Sequence, residues 1–306
     1  MTPATPSVSA ALPVNPNIKI PNSIDTPTGT PTDISTGGIS TETQNDTQAE
    51  KLDILYRDEH YIVVNKPSGL LVHRSMIDRH ETRFALQILR DQINQHVFPL
   101  HRLDKPTSGA LIFALSAEAA RDFNTQTQTP HKEYLAITRG YAPAEIFVDH
   151  PLSVQLDKIC DNKARTNKPP QLAQTRFKCL ATTCIDTDFD RYPQSRYSLV
   201  ACFPTTGRKH QIRRHLKHIS HPIIGDAKHG KGIHNRYFKE HLNAGRLLLH
   251  AVQINFKHPY SQREIDVIAP LDACFQQLIE RFQWVDKISP SRYYDKNREE
   301  QYFEAR

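Results

Sequence analysis

Apolar and polar residues alternate in short bursts along most of this chain, and only a few stretches carry helical spacing. Ile54-Leu55-Tyr56 and Tyr61-Ile62-Val63-Val64 are β-rich runs separated by the polar Arg57-Asp58-Glu59-His60, the pattern of a hairpin. Pro67-Ser68-Gly69 ends the second run. Phe84, Leu86, Ile88 and Leu89, set among polar residues, predict a helix over roughly 81–94. Val97 to Leu100 and Ala110 to Leu115 read as strands flanking a turn, and Glu118 to Gln126 as a helix. Tyr134 to Thr138, Arg176 to Ala181 and Tyr197 to Phe203 read as further strands. A helix over about 207–219 follows, with Thr206 as its cap. Strands at Leu247 to Phe256 and Glu264 to Ile268 precede an amphipathic helix at Leu271 to Phe282. Strands dominate without regular βαβ alternation, which predicts an α+β fold on a mixed, largely antiparallel central sheet with flanking helices. No internal repeat is visible.

The first fifty residues break this pattern. They hold seven Pro and ten Thr, no aromatic residue and no hydrophobic period. Such a segment buries too little apolar area to offset its ordering entropy, so residues 1–50 are expected to be a disordered tail. The segment has neither the basic start and apolar core of a secretory signal nor the arginines of most transit peptides. Residues 51–285 form the expected folded domain, and 286–306 a charged C-terminal segment. Of the 39 Lys and Arg, one lies in the tail, as do five of the 33 Asp and Glu. The remainder therefore carries 38 basic against 28 acidic residues, a surplus that suits a polyanionic partner. Five cysteines (160, 179, 184, 202 and 274) without a Cys-x-x-Cys pair point to reduced thiols and a cytoplasmic location. No apolar run is long enough to span a membrane.

Two segments concentrate candidate chemistry. His101-Arg102-Leu103-Asp104-Lys105-Pro106-Thr107-Ser108 puts one carboxylate on a turn between two strands. Flanking Arg102 and Lys105 favour its ionised form, and an ionised, positioned carboxylate can act as a nucleophile. A turn cap or a surface ion pair is the alternative reading. A kinase catalytic loop is not, because leucine separates Arg102 from Asp104 and no Gly-x-Gly-x-x-Gly loop occurs. In the second segment, Gly207 to His218, His210, Arg213, Arg214 and Lys217 share one helical face opposite Ile212, Leu216 and Ile219. That basic face suits phosphates or a buried carboxylate, or is simply solvated. His210, His215, His218 and His221 match no metal-ligand spacing, so no metal is expected among them. Lys158, Lys163, Arg165 and Lys168 read as an exposed basic loop. Tyr134 at a strand start is either half-buried core or a platform for a base.

In this order the segments resemble the RluA-type pseudouridine synthases. The match comprises Asn65-Lys66-Pro67-Ser68-Gly69 with Val72-His73, then His101-Arg102-Leu103-Asp104 with Thr107-Ser108-Gly109. Lys132-Glu133-Tyr134-Leu135-Ala136, Thr206-Gly207-Arg208-Lys209-His210-Gln211-Ile212-Arg213-Arg214-His215 and His221-Pro222-Ile223-Ile224-Gly225-Asp226 complete it. The span runs from about Leu52 to Ile268. Leu71-Val72-His73-Arg74-Ser75, Arg90-Asp91-Gln92-Ile93, Leu156-Asp157-Lys158-Ile159, Tyr192-Pro193 and Gly225-Asp226-Ala227-Lys228-His229-Gly230 narrow the likeness to the TruC branch, which isomerises uridine 65 in the T arm of tRNA. The resemblance implies the pseudouridine synthase fold with an active-site cleft and catalytic Asp104. It also implies Arg213 as the partner of that aspartate and Tyr134 as the residue that packs on the target base and assists proton removal at C5. Arg102 would enter the gap left by the extruded nucleotide. His73, Lys105 and Arg208 are expected among the substrate-binding residues, as are Lys209, His210, Gln211 and Arg214. The implied enzyme is a monomer that acts on tRNA without a cofactor, a metal or an obligate protein partner. The same isomerisation of ribosomal RNA, or RNA binding without chemistry, are the alternatives.

Overall fold

The computed structural model describes residues 51–74, 80–126, 129–154, 169–187, 189–190 and 192–288. The tail 1–50, the basic residues Lys158, Lys163, Arg165 and Lys168, and residues 289–306 lie outside this set. The chain enters through a hairpin of β1 (Asp53–Arg57) and β2 (Tyr61–Lys66), then passes through α1 (Ala85–Ile93), the two-residue β3 (Phe98–Pro99) and β4 (Ser108–Ala114). Next come α2 (Ala117–Gln126), β5 (His131–Arg139), β6 (Glu145–Asp149), β7 (Gln174–Asp186) and β8 (Gln194–Pro204). After them lie α3 (Gln211–His218), α4 (Gly232–His241), β9 (Leu249–Lys257), β10 (Glu264–Ile268) and α5 (Ala273–Arg281).

The strands form one sheet in the order β1-β2-β4-β9-β5-β8-β7-β6, with β3 added to β4 and β10 to β9. All these pairings are antiparallel except β4 with β9. The expected α+β architecture is thus present. The parallel contact is short, Ser108 with His250 and Gly109 with Ala251, and forms a seam between two antiparallel halves. Both faces near the seam are covered. On β2, Ile62 and Val64 enter a large core with Phe275, Leu278 and Ile279 of α5, while Tyr61 and Val63 enter a smaller one with Phe123 of α2. Two-sided burial is why β2 and β4 read as continuous apolar runs and not as alternation. No helix among the described residues is long and apolar enough to cross a membrane.

Three elements differ from expectation. α3 begins at Gln211, not 207, and Thr206 does not cap it. The Thr206 hydroxyl donates to Gln211 Oε1 at 2.7 Å and accepts from the Gln174 N–H, so Gly207 to His210 form a tight turn fixed by one glutamine. The edge strand β6 was not anticipated, because its apolar core is only Ile146-Phe147-Val148 between acids. Nor was α4, which buries only His234 and Phe238, one helical turn apart.

Candidate active site

The seam positions the site. Gly109 and Tyr134 both pair with Ala251 of β9, one from each side, which places the ends of β4 and β5 two strand spacings apart. Gly109 has φ of 111°, and a Cβ there would lie 2.2 Å from the Ala251 carbonyl oxygen. Only glycine lets β4 approach β9 at that point.

Asp104 lies in the loop entering β4, and that loop is tied to the segment after β2. Gly69 N–H donates to the Lys105 carbonyl at 2.8 Å, and Ser68 Oγ to the Pro106 carbonyl at 2.7 Å. The Asp104 carbonyl closes the turn by accepting the Thr107 N–H at 3.0 Å. Beneath it the fully buried Lys66 donates to the carbonyls of Pro67 and Leu70 at 2.8 Å and of Lys105 at 3.3 Å. Burial and the charge of Arg246 push Lys66 down to about 7, against the opposing pull of Asp104. Its three carbonyl acceptors match the three N–H bonds of an ammonium.

Arg213 holds the other side of Asp104. Its Nη1 donates to Asp104 Oδ2 at 2.9 Å, while Nε and Nη2 form a bidentate pair with Asp226 at 2.8 Å each. Asp226 is sealed from solvent and also accepts the N–H groups of Lys228 and His229, both at 2.9 Å. Burial acts to raise the Asp226 pKa, but Arg213 and these two N–H groups hold it below the usual carboxylate range. The acid missing from the helix segment is therefore supplied by the loop that follows it. Arg213 faces inward with the core, so the basic residues of α3 do not form one solvent face.

Asp104 and Arg213 line a cleft of about 330 Å³, together with Tyr134, Arg102, His101, Lys132 and the turn Thr205 to His210. Burial, then the charge of Asp104, raises the Tyr134 phenol well above its ordinary value. A phenol that keeps its proton fits packing on a base better than accepting a proton from C5. His210, in the left-handed region at φ of 55°, has Nε2 3.9 Å from Asp104 Oδ2 and Nδ1 3.1 Å from His229 Nε2.

Other expected residues are placed differently. Lys105 turns to Glu81 at 2.7 Å, so the cation paired with Asp104 is Arg213 and not its sequence neighbour. His73 lies by a separate hollow with Arg74, Phe84 and Arg90. Gln211 lines the cleft wall, but its amide is engaged internally by Thr206, Arg208, Gln174 and Thr175. Arg208 reaches the Leu172 carbonyl at 3.0 Å and Arg214 the carbonyl and hydroxyl of Ser153. Arg208 and Lys209 remain on the cleft rim. Asp226, His229 and Lys132 lay inside quoted motifs with no role attached to them. The available signal was an acid directly after a glycine, and the structure shows why that glycine is needed: a Cβ at Gly225 would lie 1.8 Å from the Arg246 carbonyl oxygen.

The chain belongs to the RNA pseudouridylate synthase family, whose model matches residues 60–218. It is thus an RNA pseudouridine synthase, an isomerase. It is 51% identical over 235 residues to the tRNA pseudouridine synthase C of Vibrio vulnificus, covering 76% of this chain and 96% of that one. The protein of the same name from Pasteurella multocida is also 51% identical, with 76% and 97% covered. Among solved structures, human RNA pseudouridylate synthase domain containing 4 superposes with a TM-score of 0.54 at 28% identity, covering 76% of this chain and 93% of that one.

Acid should destabilise the fold in a defined window. His210, His234 and His250 are each pushed down to about 4, chiefly by burial. In the unfolded chain they titrate near ~6.5. Below that value the unfolded state binds protons that the folded state refuses, so the contribution of these histidines is complete above ~6.5 and is lost as the pH drops towards 4. Urea midpoints measured at pH 7 and pH 5 should show the loss. Equal midpoints would mean that these histidines take up protons without unfolding.

Proposed function

We propose that the cleft isomerises uridine 65 in the T arm of tRNA to pseudouridine, with Asp104 as the catalytic group. The observation that carries the reading is the ion pair of Asp104 with the doubly held Arg213, facing Tyr134 across one nucleoside-sized cleft. The names of the relatives from Vibrio vulnificus and Pasteurella multocida support tRNA as the substrate. The free thiols of Cys179, Cys184, Cys202 and Cys274 support work in the reducing cytoplasm.

The reaction breaks the N1–C1′ bond, turns the uracil and forms a C5–C1′ bond, moving one proton from C5 to N1. Extruding the nucleotide costs a few kcal/mol of unstacking, which Tyr134 packing on the base and Arg102 filling the gap offset in part. Asp104 either adds to C1′ after the base departs or takes the C2′ proton to give a glycal. In both routes its carboxylate loses and regains its charge. Arg213 stabilises the anionic form in a cleft that dries when RNA binds.

Pseudouridine mapping of total RNA with and without the gene tests the reading. Loss of the modification at position 65 of tRNA alone is the expected result. Loss at a ribosomal RNA position instead would overturn the substrate, and no loss anywhere would overturn the activity in the cell.

A further inference from the structure

Lys132 stands on β5 two residues before Tyr134, and both line the cleft. Burial lowers the Lys132 pKa, and no carboxylate counters that shift. No hydrogen bond or ion pair engages its ammonium among the described residues. Its neighbour His101 offers no negative charge. Burial first, and then the charge of Lys132, keep that imidazole neutral. The His101 Nε2 accepts the Ile112 N–H at 3.3 Å, so that nitrogen is not available to accept from Lys132. Nearby cations are already committed: Arg213 to two carboxylates and Arg208 to a carbonyl. Lys132 is therefore a partly desolvated charge that no described residue compensates, which lowers stability unless an anion completes the site.

We propose that Lys132 binds a backbone phosphate flanking the extruded uridine. The inference rests on the reading of the cleft as the site where a uridine is isomerised. Two strand residues span roughly 6.6 Å, of the order of the distance from a nucleobase to the phosphates of its own nucleotide. With the base on Tyr134, the ammonium meets the backbone on one side of it. A phosphate supplies the full negative charge that a uracil carbonyl lacks, and charge-assisted bonds are the stronger ones. Lys132 would then fix the nucleotide by its backbone, leaving the base free to turn over Asp104.

The test pairs Lys132→Met in the full-length protein with T-arm RNAs carrying one neutral methylphosphonate on either side of the target uridine. Wild-type protein on unmodified RNA comes first: if it forms no pseudouridine, the parent reading fails and not this one. Given activity, one of the two neutral linkages should weaken wild-type binding by about ten- to a hundredfold. Lys132→Met should weaken binding to unmodified RNA by a similar factor. The combination should be no worse than either change alone, because both remove the same contact. The salt slope of Lys132→Met should fall by roughly 0.7–0.9. The free variant should resist urea at least as well as wild type, since an uncompensated charge is gone. Penalties that multiply at both linkages, or a variant that loses stability and keeps its affinity, would overturn the proposal.

Discussion

Replacing Asp104 with Asn should abolish pseudouridine formation while leaving folding and RNA binding nearly intact. Asn keeps the shape of the side chain and removes its charge, so it can neither add to C1′ nor take a proton from C2′. The turn itself survives, because the Asp104 carbonyl, not its side chain, accepts the Thr107 N–H. The loop also keeps its ties to Gly69, Ser68 and Lys66. Arg213 loses one of two partners but retains both bonds to the buried Asp226. The rate should drop by more than about a thousandfold, or ~4 kcal/mol in barrier terms, with an unchanged urea midpoint and RNA affinity. Single-turnover assays read the rate directly. A variant that keeps more than about a tenth of the wild-type rate, a change of only ~1.4 kcal/mol, would remove Asp104 from the chemistry.

What could be read from the sequence follows from the range of each interaction. Hydrophobic runs placed β2, β4, β5, β8 and β9 because a strand buried on both faces needs little more than apolar residues in succession. Capping was less legible. The α3 turn is closed by Gln211 reaching Thr206, Arg208, Gln174 and Thr175, a set that exists only once β7 has come alongside. Lys105 looked like the natural counter-ion of Asp104, being next to it. Adjacent residues on a turn point apart, however, and Lys105 pairs with Glu81 while Arg213 arrives from 109 residues away. Which of several basic residues on one helix turns inward is decided by where the acids lie, and Asp226 is beyond that helix. Lys132 carried no signal of its own, because an unpaired charge is defined by the absence of neighbours, which only the fold reveals.

Arg213→Met should cost both activity and stability, and for separable reasons. In the native protein the guanidinium bridges Asp104, partly exposed, and Asp226, fully buried. Removing it leaves Asp226 with two backbone N–H groups and no counter-charge. Breaking a buried pair from one side costs about 3–5 kcal/mol, which urea denaturation at neutral pH would read as a clear fall in midpoint. Lysine is a poor substitute, since one ammonium cannot make the forked contact to Asp226 and still reach Asp104. Removing the second buried charge as well, in Arg213→Met with Asp226→Asn, should recover at least half of the lost stability, because a buried ion pair is often replaceable by uncharged groups. Activity should not return, since Asp104 still lacks its partner. A double variant as unstable as the single one would show that Arg213 holds the fold by packing alone. A single variant as stable and as active as wild type would show that the bridge between the two aspartates does not act in solution.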